Sequence, residues 1–88
     1  MPDLYFLLKV VTPDGVAFEG KTTSVTAPGT LGYLGILKNH APLVTSLDKG
    51  NLTYKNESGE PSTLRIEGGF LEVRKNRVLV LTDKVLEK

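Results

Sequence analysis

The segment Leu4-Tyr5-Phe6-Leu7-Leu8-Lys9-Val10-Val11 decides the fold class. Taken alternately, Leu4, Phe6, Leu8 and Val10 fall on one side of an extended chain, while Tyr5, Leu7, Lys9 and Val11 fall on the other. The wholly apolar set recurs at every second position, which is the period of a strand and not the 3.6-residue period of a helix. Downstream, Pro13-Asp14-Gly15 is a turn, because proline presets its own φ and glycine accepts positive φ. Val16 and Phe18 then open a second strand against Ala17 and Glu19, predicting a hairpin. Val25 and Ala27 carry a third strand as far as Pro28-Gly29, with Thr22, Ser24 and Thr26 on its other face.

The second half of the chain repeats this grammar. Leu52 and Tyr54 point inward from 51–55, Leu64 and Ile66 from 62–67, and the polar run 56–61 turns the chain between them. Gly68-Gly69 interrupts the pattern, Phe70–Arg74 resumes it, and Lys75-Asn76 makes a further turn. The run Arg77-Val78-Leu79-Val80-Leu81-Thr82 is apolar on both faces and reads as a central strand. No helical period precedes Thr82, and only 83–88 could begin a helix. The predicted class is all-β, a sandwich or small barrel of short, mostly antiparallel strands.

An 88-residue chain has room for one core. At 40% hydrophobic and 24% charged residues it is globular in composition. It has no cysteine, so neither disulfides nor thiolate metal ligands hold it together. Eleven Lys and Arg against ten Asp and Glu are too evenly balanced to create a phosphate-binding field, so nucleic acid is not an expected partner. The N-terminus Met1-Pro2-Asp3-Leu4 lacks the features of a secretory leader, and the following apolar run is too short to span a bilayer.

Two patterns invite a catalytic reading and fail it. Gly15-Val16-Ala17-Phe18-Glu19-Gly20-Lys21-Thr22 matches the phosphate-binding P-loop formula letter for letter. A P-loop needs a free backbone and a helix starting at its lysine, whereas 16–19 alternates as a strand and 22–26 is a poor helix former. His40 is the only histidine, so a metal would rest on one imidazole plus carboxylates, and nothing around Ser46 and Asp48 marks a nucleophile elbow. No catalytic, cofactor or metal residue is therefore assigned. The stretch from Pro28 to Pro42 is different in kind. Gly29, Gly32 and Gly35 accompany the apolar Leu31, Tyr33 and Leu37, which are out of place in a loop that only meets water. They are either a contact surface or folded beneath the sandwich.

From Ala27 through Leu43, with Val10-Val11-Thr12-Pro13 and Phe18-Glu19-Gly20 before it and Gly68–Val73 and Val78–Asp83 after it, the sequence resembles the ε subunit of F-type ATP synthases, called δ in mitochondria. The resemblance implies a flattened β-sandwich over 1–83 with a short tail over 84–88, and no C-terminal helical hairpin of the sort that family members usually carry. It implies a non-catalytic rotor subunit linking the γ subunit to the c-ring and coupling ion translocation to ATP synthesis. No cofactor and no direct nucleotide binding are expected. Carried over by position, Leu31, Gly32 and Tyr33 would face the c-ring, and His40, Pro42, Leu43 and Thr12 would face γ. Family members often place an acid where this chain has Tyr33. Membrane association would come only through the complex, on the cytoplasmic side of a bacterial inner membrane, with the chloroplast thylakoid as the second setting. The competing expectation is a free-standing sandwich that binds a peptide or small ligand.

Overall fold

A computed structural model describes residues 4–86. Met1-Pro2-Asp3 and the tail residues Glu87 and Lys88 lie outside the described residues. In chain order the strands are β1 (Phe6–Thr12), β2 (Gly15–Thr22), β3 (Ser24–Gly29), β4 (Gly32–Ile36), β5 (Leu43–Lys55), β6 (Pro61–Arg74), β7 (Arg77–Leu81) and β8 (Val85–Leu86). No helix occurs among the described residues.

The alternation of the opening segment is realised directly. Phe6, Leu8 and Val10 are buried, while Leu7 and Lys9 face solvent. The strands hydrogen-bond in the order β2-β1-β7-β6-β5-β3-β4, with β8 beside β6. Every pairing is antiparallel except that of β1 with β7, which is parallel. The predicted central strand is central, since β7 sits between β1 and β6.

This single ladder becomes two layers through its longest members. β5 and β6, of 13 and 14 residues, pair along their lengths, but the ladder lapses where Asp48 stands opposite Gly68. Gly68 and Gly69 there have φ of 78° and 121°, and β3 slips register alongside, between Thr26 and Gly29. Such irregularities let strands turn a corner from one layer to the other. β1, β2 and β7 line one layer with 43–47 and 70–74, and β3, β4 and β8 line the other with 49–55 and 61–67. The inner faces merge: Leu8, Val10, Val78 and Val80 from one layer share a cluster with Val25, Ile36, Leu52 and Ile66 from the other. Phe18 and Tyr54 close the gap between layers with ring centroids 4.4 Å apart. Thr22, fully buried where the chain crosses over, donates its hydroxyl to the carbonyls of Lys55 (2.6 Å) or Ser24 (2.9 Å).

Three local expectations are corrected. The Pro28–Pro42 stretch is not all loop, because 32–36 is strand β4, hairpinned to β3 with Leu34 opposite Ala27 and Ile36 opposite Val25. Leu34 and Ile36 alternate inward as a strand requires, but glycines at 32 and 35, depleted in strands, mask the pattern. The 51–55 strand begins at Leu43, and 62–67 and 70–74 are one strand bent at the glycines, so the strands are not uniformly short. Residues 83–86 do not start a helix: Val85 and Leu86 pair with Ile66 and Arg65, drawn in by the Glu67 N–H bond to the Lys84 carbonyl (3.1 Å). The residues of the P-loop formula are strand β2 from end to end, paired with β1.

Candidate functional site

The β3–β4 tip presents Leu31 completely to solvent. Two bonds from Thr30 hold the tip to β5, its N–H to the Ser46 carbonyl (3.2 Å) and its hydroxyl with that of Ser46 (3.0 Å). Gly32, at φ 126°, closes the turn. Tyr33 does not project with Leu31. Its hydroxyl accepts the Asn51 N–H at 3.4 Å, so the ring lies back across the outside of the second layer, although the residue stays 64% exposed. Gly50 makes this possible, since a Cβ there would stand 2.9 Å from Pro28 Cβ and 3.1 Å from the Tyr33 hydroxyl. Leu31 is thus the free apolar side chain of the three residues assigned to this end.

The opposite end is built by a reciprocal pair of amides. Asn39, held at φ 67°, donates its N–H to Asn76 Oδ1 (2.7 Å), and Asn76 Nδ2 donates to Asn39 Oδ1 (3.2 Å). The 37–42 loop is thereby fastened onto the β6–β7 turn. Two local bonds orient His40: its N–H reaches the Leu37 carbonyl (3.2 Å) and its Nδ1 donates to the Ala41 carbonyl (2.6 Å). Pro42 is exposed, whereas Leu43 is half-buried against the core, opposite Val73. Thr12 is not with them. It organises the β1–β2 turn, accepting the Asp14 N–H (3.1 Å) and donating to the Gly15 carbonyl (3.3 Å). The Leu7 end of β1 meets Asn76 while its Val11 end meets Thr82, so Thr12 sits a strand's length from His40. The four residues assigned to γ do not form one cluster.

Sequence reasoning missed the feature that dominates the first layer. Residues paired directly across strands project to the same face, and the register runs Ser46, Phe70, Leu81, Val11, Val16 in one row and Val44, Glu72, Leu79, Lys9, Glu19 in the next. Both rows point outward. Val44 is 70% exposed, Phe70 58%, Val16 53% and Leu81 46%. An apolar stripe this extended on a small domain is a contact surface in the making. The signal was present in the double-sided apolarity of Arg77–Thr82, which marks a strand whose outer face needs a cover as much as one at the sheet's centre.

Among the described residues no group of three His, Asp or Glu side chains could hold a metal ion, and no buried side-chain polar atom lacks a partner. What the surface offers is shape and apolar contact.

Comparisons with known proteins agree on the fold and name its family. The family described as "ATP synthase, Delta/Epsilon chain, beta-sandwich domain" matches residues 5–88. The ATP synthase epsilon chain of Syntrophomonas wolfei is 42% identical over 83 residues, covering 94% of this chain and 61% of that protein. The epsilon chain of Carboxydothermus hydrogenoformans is 49% identical over 76 residues, 86% of this chain and 56% of its own length. This chain thus spans little more than half of these relatives, but it covers 94% of the 41% identical epsilon chain of Chlorobium limicola. A chain in the Euglena gracilis mitochondrial ATP synthase structure, OSCP/F1/c-ring in rotational state 1, superposes with a TM-score of 0.89 at 23% identity, over 98% of this chain and 55% of that one. Matched across nearly its whole length by one domain model and by curated relatives above 40% identity, the chain belongs to the family of the ATP synthase delta/epsilon β-sandwich domain.

Proposed function

We propose that the chain is a non-catalytic central-stalk subunit of an F-type ATP synthase, seated between γ and the c-ring and helping to couple ion translocation to ATP synthesis. The observation that carries this reading is the outward apolar stripe on a member of this family: a rotor component passes torque through a broad, rigid contact, and the stripe lies on a bent two-layer sheet with a shared core. On this reading γ covers Val44, Phe70, Leu79 and Leu81, with His40, Pro42 and Leu43 at one margin and Thr12 at the other. The tip at Leu31, with Gly32 and Tyr33, faces the c-ring. ATP chemistry belongs to other subunits, and the chain reaches the cytoplasmic side of a bacterial inner membrane through the complex alone.

Co-expression with the γ subunit of the same genome tests the assignment. The two chains are expected to elute as one complex, and failure to associate rejects it in favour of a free-standing binding module. For the tip, Leu31→Glu is expected to leave the thermal midpoint unchanged, because the side chain touches nothing, and to weaken capture of the chain–γ complex by c-ring in detergent. Unaltered capture removes Leu31 from that contact.

A further inference from the structure

The β6–β7 hairpin ends in a charge arrangement that the isolated domain has no use for. Lys75 and Asn76 form its two-residue turn, both with positive φ (48° and 59°), the geometry that matches the twist of the flanking strands. The residues that close this turn are Arg74 and Arg77, paired directly across the strands and both exposed. Like charges so placed repel and destabilise a hairpin. Lys75 adds a third cation at the tip, and neither arginine has an ion-pair or hydrogen-bond partner among the described residues. The acids on this face, Glu72 and Glu19, stand one row away, Glu72 opposite Leu79 and Glu19 opposite Lys9.

The position of the cations says what they are for. Arg74 and Arg77 continue the outward face of the apolar stripe by one row toward the His40 end, where Leu7 follows Arg77 in register. A shallow depression lined by Pro42, Leu43, Val44, Glu72, Arg74 and Lys75 joins the cations to the stripe without a break. A second, broader one carries Arg74 and Arg77 on to Leu7, Lys9 and Leu79. This is the layout of a protein interface, apolar at the centre and charged at the rim, with guanidinium forks at the margin that suit carboxylates.

We propose that Arg74, Arg77 and Lys75 form an electrostatic docking rim that receives an acidic segment of the same protein partner that covers the Phe70–Leu81 stripe. The inference rests on the rotor reading above and adds the chemistry of the partner: carboxylates at the margin of its contact surface, opposite the β6–β7 turn. Rim charges act chiefly on the rate of encounter and on its salt dependence. The repulsion between the two arginines is tolerated in the free chain and relieved on docking.

Charge reversal separates this role from a structural one, because the two predict opposite changes in stability. Arg74→Glu and Arg77→Glu, made singly, each replace a repulsive cross-strand pair with an attractive one. Each is expected to raise the thermal midpoint of the free chain by about 2–4 °C. Each should also slow association with γ about tenfold at low salt and flatten the dependence of the on-rate on ionic strength. An on-rate within twofold of wild type for both variants, with the same salt slope, overturns the proposal while leaving the γ assignment intact. Absence of any wild-type association overturns both. Titration of the free chain with tripolyphosphate is the third arm: no binding is expected, and saturable binding abolished by both reversals reassigns the rim to a free polyanion.

Discussion

Gly69→Ala is expected to leave little folded protein. At φ 121°, the residue occupies backbone space that L side chains rarely enter. A Cβ built there collides with the Leu81 carbonyl oxygen and lies 2.8 Å from Thr82 Cα and 2.9 Å from the Leu81 carbonyl carbon. These are main-chain atoms at the end of the central strand, so no rotamer change can make room. Backbone strain of about 1–3 kcal/mol and overpacking of about 1–3 kcal/mol together approach the lower end of the roughly 5–15 kcal/mol that holds a whole domain together. Urea unfolding followed by circular dichroism measures the loss. Gly35→Ala is the control, since a Cβ at Gly35 meets nothing within 4 Å and the residue has no positive φ; it should behave as wild type. A Gly69→Ala midpoint close to that of the control shows that the corner can relax.

The second large effect is on association and not on folding. Phe70 and Leu81 are direct cross-strand neighbours on the outward face, so Phe70→Glu combined with Leu81→Lys replaces an apolar pair with an ion pair and keeps the hairpin's own balance. Both side chains are exposed, so stability should stay within about 0.5 kcal/mol of wild type. Docking against γ would then bury two charges in place of an aromatic anchor. Truncating one central anchor typically costs about 2 kcal/mol or more, and a hundredfold loss of affinity, about 2.7 kcal/mol, is the expected minimum. Isothermal titration with purified γ reads it. A change of less than threefold in a folded variant moves the γ contact elsewhere on the domain.

Which parts of this could be read from the residues follows from how local their causes are. β1, the first hairpin and the β6–β7 turn declare themselves in a few consecutive residues: period two in Phe6, Leu8 and Val10, and turn chemistry at Pro13-Asp14-Gly15 and Lys75-Asn76. β4 does not, because its outward positions hold Tyr33 and a glycine, and its inward pair, Leu34 and Ile36, is too short to carry a pattern alone. The lie of Tyr33 depends on Gly50 and Asn51, far along the chain, and the separation of Thr12 from His40 depends on how β1 registers against β7. The apolar stripe was visible as composition but not as surface. Double-sided apolarity in 77–82 is equally consistent with burial by this chain and with burial by another, and only the two-layer arrangement shows that Leu81 stays exposed on the outer face while Leu79 is half-buried.

The parallel pairing of β1 with β7 has a consequence for how the domain is made. β1 is synthesised some 65 residues ahead of its partner β7, and until residues 77–81 slot between β1 and β6 the first layer has a gap at its middle, with the inner faces of Phe6, Leu8 and Val10 unclosed. Contacts this distant in sequence are won only after a large loop-closure cost, which places the domain among slow, high-contact-order folders, on timescales of roughly milliseconds to seconds. A chain cut just before Arg77 would therefore lose its keystone and not its tail: it would expose two interior strand edges, and aggregation through those edges, not partial function, is its expected fate.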